Sequence, residues 1–218
     1  AGIDMVKAVL EEVGLTDITT VKRDGDAIKA GEVLLTVKGN TRAILLAERT
    51  ALNFVGHLSG IATETAKWVV AVSGTNCKVR DTRKTTPGYR QLEKYAVRMG
   101  GGTNHRMSLA DAALIKDNHI AAAGGVSQAF SAVRSAFPSA PIEIEVDTLD
   151  QLREVLPLKP DLVLLDNMSP ATCAEAVALV AGATPLEASG GITLNNAKAY
   201  ADSGVDFIAI GALTHSAA

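Results

Sequence analysis

The chain beyond Gly74 alternates two hydrophobic patterns. Short apolar runs alternate with longer segments in which apolar residues recur every three or four positions. The short runs predict buried strands and the longer segments predict helices. The predicted strands are Cys77–Asp81, Ala112–Lys116, Ile142–Val146, Leu162–Leu165, Leu186–Ala188 and Phe207–Ile210. The predicted helices are Tyr89–Arg98, Val126–Ala136, Leu149–Leu156, Ala171–Val180 and Leu194–Asp202. This strand–helix order indicates parallel βαβ units and an α/β fold.

The first 55 or so residues have a different pattern. Between Val21 and Gly39, apolar positions alternate over short distances, and Gly25 and Gly31 provide turn signals, so this stretch predicts a small β element. From Glu48 to Val72 the apolar spacing is helical, and Gly60 is expected to divide it into two linked helices.

Six parallel strands fit either an open doubly wound sheet or most of a barrel, and the local pattern does not distinguish them. The polar residues favour the barrel, because they lie at or just after the carboxyl end of one strand after another, where a barrel has its mouth. These residues are Asp81–Lys84, Lys116–His119, Glu145, Asp166–Asn167, Ser189–Gly191 and Gly211.

Composition excludes several classes of protein. The 218 residues are 47% hydrophobic and 21% charged, which argues against disorder, collagen and coiled coil. No apolar run approaches the roughly 20 residues of a membrane helix, and no signal peptide is visible. Cys77 and Cys173 stand far apart, which argues against a disulfide framework or a structural zinc site. We expect a cytoplasmic protein without a membrane partner.

Charge is distributed unevenly along the chain. The net charge is −3, but the segment from Arg80 to His119 carries +4 and the rest carries −7. A concentrated positive field suits a small, highly anionic ligand better than a nucleic acid. Aromatic residues, at 4%, are also too scarce to form stacking platforms for bases.

Basic residues provide the first candidate chemistry. Arg83 and Lys84 follow a predicted strand, and together a guanidinium fork and an ammonium group can hold a multiply charged anion. A solvated loop is the alternative for an isolated Arg-Lys pair. The nearby clusters Asn104–Arg106 and Lys116–His119 favour a binding site.

Carboxylates provide the second candidate chemistry. Strand alternation places Glu143, Glu145 and Asp147 on one face, which is the interior of a barrel, and Asp166 ends the next strand. Interior carboxylates at one mouth can hold Mg²⁺, bind sugar hydroxyls or stabilise a cationic transition state. Capping of the following helices is the alternative interpretation.

A glycine-rich turn provides the third candidate chemistry. Ser189-Gly190-Gly191 links a predicted strand to a helix beginning near Leu194, and such a turn can offer backbone N–H groups to a phosphate. A simple tight turn remains possible, although Gly211 in the next loop supports the phosphate interpretation. Four further residues are interpreted as structural: His57, Trp68, Cys77 and Cys173.

Four motifs together resemble the quinolinate phosphoribosyltransferase family. They are Asp81-Thr-Arg-Lys-Thr-Thr-Pro-Gly88, Leu92-Glu-Lys-Tyr-Ala-Val-Arg98, Gly100-Gly-Gly-Thr-Asn-His-Arg106 and Leu114-Ile-Lys-Asp-Asn-His119. The resemblance implies an N-terminal α/β sandwich domain at residues 1–55 and an α/β barrel of the type II phosphoribosyltransferase kind at residues 56–218. Compared with the family, an N-terminal segment and the last barrel helix are expected to be missing from this sequence.

The family's reaction is the expected function. The resemblance implies transfer of a 5-phosphoribosyl group from phosphoribosyl pyrophosphate to quinolinate, with Mg²⁺, giving nicotinate mononucleotide, pyrophosphate and CO₂ in NAD biosynthesis. It also implies a homodimer, or a multiple of dimers, in which Arg49 completes the neighbouring subunit's site.

The resemblance also implies a role for each site residue. Quinolinate would contact Arg49, Thr82, Arg83, His105 and Arg106. Lys84 and Lys116 would neutralise pyrophosphate and bridge the substrates, while Glu145 and Asp166 would hold the ribose hydroxyls and Mg²⁺. The phosphate would be bound by Ser189, Gly190, Gly191, Gly211 and His215.

Two alternatives remain at this point. A related phosphoribosyltransferase specific for nicotinate or another anion has the same requirements for cations. A biotinyl or lipoyl carrier module resembles the segment from Gly25 to Leu34, but this segment has no Met-Lys-Met-like attachment turn.

Overall fold

The computed structural model describes residues 1–217, which divide into two compact units. Unit 1 comprises residues 1–66, 85–102 and 212–217, and unit 2 comprises residues 67–84 and 103–211. The helices are α1 (Ile3–Glu12), α2 (Thr41–Ala71), α3 (Arg90–Met99), α4 (Asp117–Ala123), α5 (Val126–Ala136), α6 (Leu149–Val155), α7 (Pro170–Val180), α8 (Ala197–Asp202) and α9 (Ala212–His215). A 3₁₀ turn, Leu156–Leu158, follows α6. Among the described residues no helix combines the length and apolar character needed to cross a bilayer, the 31-residue α2 included.

Unit 1 contains a small α/β sandwich. Strands β1 (Asp17–Thr20) and β2 (Leu35–Lys38) form an antiparallel pair, with Asp17 opposite Lys38. Their apolar side chains pack with α1 and the first half of α2. The buried members of this core are Val6, Leu10, Leu15, Ala47 and Ala51.

The predicted β element at Val21–Gly39 is only partly correct. Its second half contains β2, but β1 precedes Val21, and residues 21–34 lie outside the strands. Side chains in this loop bind its own backbone: Asp26 accepts from the Arg23 N–H at 2.8 Å, and Glu32 accepts from the Lys29 N–H at 3.3 Å. These local turns replace the strand ladder that the alternation predicted.

The predicted break at Gly60 is wrong, because α2 continues through it. A helix-interior glycine costs only about 1 kcal/mol relative to alanine. The neighbouring side chains Leu58 and Ile61 are completely buried, and this burial outweighs that cost.

Unit 2 contains a parallel six-stranded sheet. Its strands are β3 (Lys78–Arg80), β4 (Ala113–Ile115), β5 (Ile142–Val146), β6 (Leu162–Asp166), β7 (Leu186–Ser189) and β8 (Phe207–Ala209). Their order is β3-β8-β7-β6-β5-β4. The first strand of the array therefore pairs with the last, as barrel closure requires, while among the described residues no ladder joins β3 to β4. The expected α/β barrel architecture is confirmed. The described part of the chain leaves β3 and β4 as the two edges of the sheet.

The predicted strands agree with the observed ones to within one residue at each end. The interior of the sheet explains this agreement. Ile142, Ile144, Val163, Leu165 and Ile208 have no accessible surface, as expected for strands of a parallel sheet that is covered on both faces. The sequence pattern missed the short helices α1, α4 and α9.

Candidate active site

Polar residues of unit 2 follow the carboxyl ends of its strands, as predicted. Thr82, Arg83 and Lys84 come after β3, Lys116 follows β4, and Asp166 and Ser189 end β6 and β7. Because the strands are parallel, these ends lie on one side of the sheet. The backbone N–H of Lys84 donates to Thr82 Oγ1 at 3.1 Å, which shapes the loop after β3.

Lys116 and Glu145 form an ion pair. The Lys116 Nζ lies 2.8 Å from Glu145 Oε2, and the carboxylate is almost buried whereas the lysine side chain is half exposed. The partly exposed ammonium offsets the cost of burying Glu145. The turn into α4 fixes the lysine backbone, because His119 Nδ1 accepts from the Lys116 N–H at 2.9 Å.

Asp166 lies in an acidic environment. Burial raises the pKa of Asp166, Asp147 raises it further, and Lys116 opposes the shift. Asn167 Nδ2 donates to Asp166 Oδ2 at 2.6 Å, and its own backbone has a positive φ of 53°. The sequence analysis grouped Asp147 with the interior carboxylates and Asn167 with the polar strand ends, but assigned a ligand to neither residue.

The guanidinium group of Arg106 lies in surroundings that disfavour its positive charge. Its Nη1 donates to the Ala112 carbonyl at 2.7 Å, while its buried Nε has no hydrogen-bond partner among residues 1–217. Burial lowers the pKa of Arg106, and the positive charge of Arg83 lowers it further. Two guanidinium groups that repel one another in this way are well suited to an anion with two negative groups.

A buried ionic cluster, comprising Arg80, His105, Glu143 and Glu187, lies in the same unit. Arg80 Nη1 is 2.7 Å from Glu187 Oε2, and His105 Nε2 is 2.8 Å from Glu143 Oε2. Burial raises the pKa of Glu187 to about 7, the Glu143 charge acts in the same direction, and the Arg80 guanidinium opposes it. The sequence analysis missed Arg80 and Glu187, although Glu187 stands out as a carboxylate between apolar neighbours in a strand.

The glycine turn after β7 differs from its prediction. Gly190 and Gly191 both have positive φ, at 88° and 61°. A Cβ at Gly190 would collide with the Asn167 amide, so a larger residue does not fit there. The helix predicted to begin near Leu194 begins at Ala197, so the glycines do not lead directly into a helix N-terminus. Thr193 and Asn196 form a turn in between.

Two predicted site residues belong to unit 1. Arg49 is exposed on α2, and His215 is exposed in α9, where its Nδ1 lies 2.7 Å from Ser216 Oγ. Gly211 directly precedes α9 and belongs to unit 2.

Of the four residues interpreted as structural, Trp68, Cys77 and Cys173 are buried, whereas His57 is exposed. His57 Nε2 lies 3.0 Å from the fully buried Glu93 Oε1. Trp68 is buried, and burial raises the pKa of Cys77 to about 12 and that of Cys173 to about 11. Both thiols are therefore uncharged at neutral pH.

These features define the class of the protein. A parallel barrel with paired cations and carboxylates at its strand ends is an enzyme for a small, multiply charged anion.

Comparison with known proteins identifies the family. Residues 1–59 match the N-terminal domain of quinolinate phosphoribosyl transferase, and residues 61–218 match the C-terminal domain. The chain therefore belongs to the quinolinate phosphoribosyltransferase family. The carrier-module alternative is wrong, because the segment that suggested it lies within the family's N-terminal domain.

Relatives and solved structures agree with this assignment. The chain is 53% identical to nicotinate-nucleotide pyrophosphorylase [carboxylating] of Mycobacterium leprae, over 99% of this chain and 78% of that protein. It is 46% identical to the probable enzyme of the same name from Bacillus subtilis, over 89% of this chain and 68% of that protein. The structure of nicotinate-nucleotide pyrophosphorylase from Francisella tularensis superposes with a TM-score of 0.96 at 43% identity, covering 100% of this chain and 78% of that one.

Proposed function

We propose that the protein transfers the 5-phosphoribosyl group of phosphoribosyl pyrophosphate to quinolinate and releases pyrophosphate and CO₂, forming nicotinate mononucleotide for NAD biosynthesis. The reaction is that of the family to which both domains belong. The substrate assignment depends mainly on one observation, the repulsion between the positive charges of Arg83 and Arg106.

A substrate with two carboxylates suits this pair of cations. Bringing the Arg83 guanidinium close to the partly desolvated guanidinium of Arg106 is costly, and binding a dianion offsets that cost. Quinolinate has adjacent carboxylates, whereas nicotinate has one. We assign the carboxylates to Arg83 and Arg106, with Thr82 beside the ring.

The second substrate carries several phosphate charges. Lys84 and Lys116 supply ammonium groups for the pyrophosphate, and the turn Ser189–Gly191 together with Gly211 supplies backbone N–H groups for the 5-phosphate. The part played by His215 stays a prediction.

Catalysis is mainly positioning and electrostatics. The pyridine nitrogen attacks the anomeric carbon as its bond to pyrophosphate breaks, and the leaving oxygen retains the bonding electrons beside Lys84 and Lys116. Positive charge at the anomeric carbon is stabilised by Glu145 and Asp166. The pyridinium then draws electrons from the adjacent carboxylate, CO₂ leaves, and the ring carbon takes a proton from water.

Magnesium fits the carboxylate environment of Asp166. The Asp166 carboxylate lies in the field of Asp147 and Asp117, and carboxylate oxygens are ligands that Mg²⁺ prefers. We assign the ion to Asp166 and Glu145, where it would neutralise part of the pyrophosphate charge. Glu145 is already paired with Lys116, so Asp166 is the principal ligand of the two.

We also propose a homodimer in which Arg49 serves the neighbouring subunit. Arg49 lies on a stretch of α2 that exposes Leu45, Leu46 and Leu52, with 66%, 71% and 49% of their surfaces accessible. Exposed apolar patches of this kind are typical of protein interfaces. A cytoplasmic location stays a prediction.

Product analysis with the full-length protein tests the reaction. Quinolinate or nicotinate is supplied in parallel with phosphoribosyl pyrophosphate and Mg²⁺, and nucleotide, pyrophosphate and CO₂ are measured. We expect one CO₂ per nucleotide, from quinolinate alone. Turnover of nicotinate instead would establish the nicotinate-specific alternative and contradict the proposal.

Mixed dimers test the role of Arg49. Arg49→Ala and Lys116→Ala homodimers should both be nearly inactive. Co-expression of the two chains should restore activity, since one of the two sites in a mixed dimer has neither substitution. Absence of restoration in purified mixed dimers would contradict the assignment.

A further inference from the structure

The His105 ring is bound by the protein through both of its nitrogens. Its Nδ1 accepts a hydrogen bond from the backbone N–H of Arg106 at 2.8 Å. Its Nε2 lies 2.8 Å from Glu143 Oε2 and 3.5 Å from Glu187 Oε1. Only 9% of the side-chain surface is accessible.

These contacts determine the protonation state of the ring. A backbone N–H can only donate, so Nδ1 carries no hydrogen, and the ring hydrogen is on Nε2, where it faces the carboxylates. An imidazolium would place a second hydrogen on Nδ1, directly against the Arg106 N–H. The bond to Arg106 therefore favours the neutral ring.

The surrounding charges are compatible with a neutral ring. Glu143 reaches His105 from β5 and Glu187 from β7, while Arg80 on β3 pairs with Glu187 at 2.7 Å. Asp81 accepts a hydrogen bond from the backbone N–H of His105. Burial raises the pKa of Glu187 to about 7. When a proton is added to the cluster, the Glu187 carboxylate therefore binds it more readily than an ordinary glutamate would.

The same contacts fix the backbone that carries Arg106. Asp81 Oδ1 accepts from the His105 N–H at 2.8 Å, and Asp81 Oδ2 accepts from Asn104 Nδ2 at 2.5 Å. Beyond them, the His105 ring holds the Arg106 N–H, and Ala112 holds its guanidinium. The turn from Asn104 to Arg106 is thus held on both sides of His105.

We propose that His105 is a positioning residue: held as the neutral Nε2–H tautomer by Glu143, it fixes the backbone of Arg106 and contributes no positive charge to the substrate. The family resemblance instead places His105 among the residues that contact quinolinate. The proposal rests on the proposed function only for the identity of the anion that Arg106 binds.

A metal ion is a weaker interpretation of the same cluster. The ligand atoms of His105, Glu143 and Glu187 lie within 4.8 Å of one another. However, the Arg80 guanidinium already occupies one side of Glu187, and a permanent cation there opposes a second one.

Two substitutions separate the functions of the two ring nitrogens. In His105→Asn, the amide oxygen takes the place of Nδ1 and can accept from Arg106, but the donor to Glu143 is lost. In His105→Gln, the amide nitrogen takes the place of Nε2 and can donate to Glu143, but the acceptor for Arg106 is lost. Both variants are neutral, so a role as a cation is removed equally from each.

Quinolinate affinity of the full-length protein distinguishes the two roles. Loss of one neutral hydrogen bond corresponds to roughly 2- to 10-fold in an equilibrium constant. We expect His105→Gln to weaken quinolinate binding by about this factor and His105→Asn to stay within about 2-fold of the unsubstituted protein. Equal losses of more than about 10-fold in both variants would overturn the proposal.

Nitrogen NMR of histidine-labelled protein tests the tautomer directly and does not depend on the stability of either variant. The chain has four histidines, and the signals lost in a His105 variant identify this ring. We expect a bare Nδ1 and a protonated Nε2, both with EDTA present and on saturation with quinolinate. Two protonated nitrogens in the complex would overturn the proposal. If quinolinate fails to bind, the proposed function fails, while a protonated Nδ1 in the free protein would still refute the tautomer assignment.

Discussion

At the scale of the residue, the site combines charged groups that are unfavourable when considered one at a time. Arg106 is repelled by Arg83, Glu143 lies close to Glu187, and Asp166 lies in the field of Asp147. Perturbed pKa values of this kind are concentrated at functional sites. The sequence reveals which charges are present but not which of them are adjacent.

The pairing of Arg80 with Glu187 illustrates this limit. The two residues are 107 positions apart, on strands that flank β8. Their contact depends on strand order and register, which place Arg80 opposite Ala209 and Glu187 opposite Phe207. A local sequence pattern encodes neither the strand order nor the register. Arg83, Glu145 and Asp166, by contrast, could be nominated because each breaks the apolar pattern at or near a strand end.

Glu187 should make the stability of the protein depend on pH. Its pKa is raised from 4.5 to about 7, so the folded chain holds this proton more tightly than the unfolded chain. The resulting stabilisation is complete below about pH 4.5 and is lost as the pH rises through 7. In the unsubstituted protein, we expect the free energy of unfolding to fall by up to roughly 3 kcal/mol as the pH rises from about 4.5 through 7. We expect Glu187→Gln to abolish this fall.

Urea unfolding at pH 5 and pH 7.5 measures this effect. The exposed Glu175→Gln substitution in the same unit is the matched control and should keep the pH dependence of the unsubstituted protein. An identical dependence in Glu187→Gln and in the control would show that the Glu187 proton makes no such contribution.

At the scale of the element, prediction succeeded where one pattern dominates. Strand β5 is buried throughout, and the sequence placed its bounds to the residue. Prediction failed where two tendencies compete. In residues 21–34, alternating apolar positions favour a strand, but Asp26 and Glu32 bind the local backbone and favour turns. At Gly60, the packing of α2 overrides the helix-breaking tendency of glycine.

The three glycines after α3 show the opposite case, in which a glycine is required. A Cβ at Gly100 would collide with the Ala62 carbonyl oxygen of α2 and lie 2.6 Å from Thr65 Cβ. This close approach gives Gly100 in the motif Gly100-Gly-Gly102 a packing role.

Gly100→Ala should therefore destabilise the protein. Overpacking against backbone typically costs about 1 to 3 kcal/mol, and we expect a loss in this range in chemical denaturation. Gly56→Ala is the matched control, because Gly56 is a residue of α2 with open space around its Cβ position. The control should be neutral or slightly stabilising, by up to about 1 kcal/mol. Equal effects of the two substitutions would contradict the packing argument.

At the scale of the whole molecule, the exposed leucines of α2 require an explanation. Leu45 and Leu46 expose about two thirds of their surfaces and lie beside Arg49. A homodimer that buries this patch would also present Arg49 to a second subunit. Family membership fixes the reaction, whereas the assembly was inferred from the sequence by resemblance alone.

Leu46→Glu should disrupt the proposed dimer. A charged side chain in the centre of an apolar interface is left desolvated and unpaired, so we expect the variant to sediment as a monomer with activity reduced at least about 10-fold. Phe137→Glu, which alters a residue that is 62% exposed in unit 2, is the control and should leave mass and activity unchanged. A fully dimeric Leu46→Glu protein would contradict this interface.

The most direct test of the central claim is the affinity of the site for one carboxylate compared with two. Quinolinate and nicotinate binding are measured by calorimetry for the unsubstituted protein, for Arg106→Ala and for the exposed control Arg153→Ala. A charge-assisted hydrogen bond corresponds to about 10- to 100-fold in affinity. We predict a loss in this range for quinolinate in Arg106→Ala, a change below about 3-fold for nicotinate, and no change in the control. Equal losses for the two ligands, or no loss for quinolinate, would contradict the account.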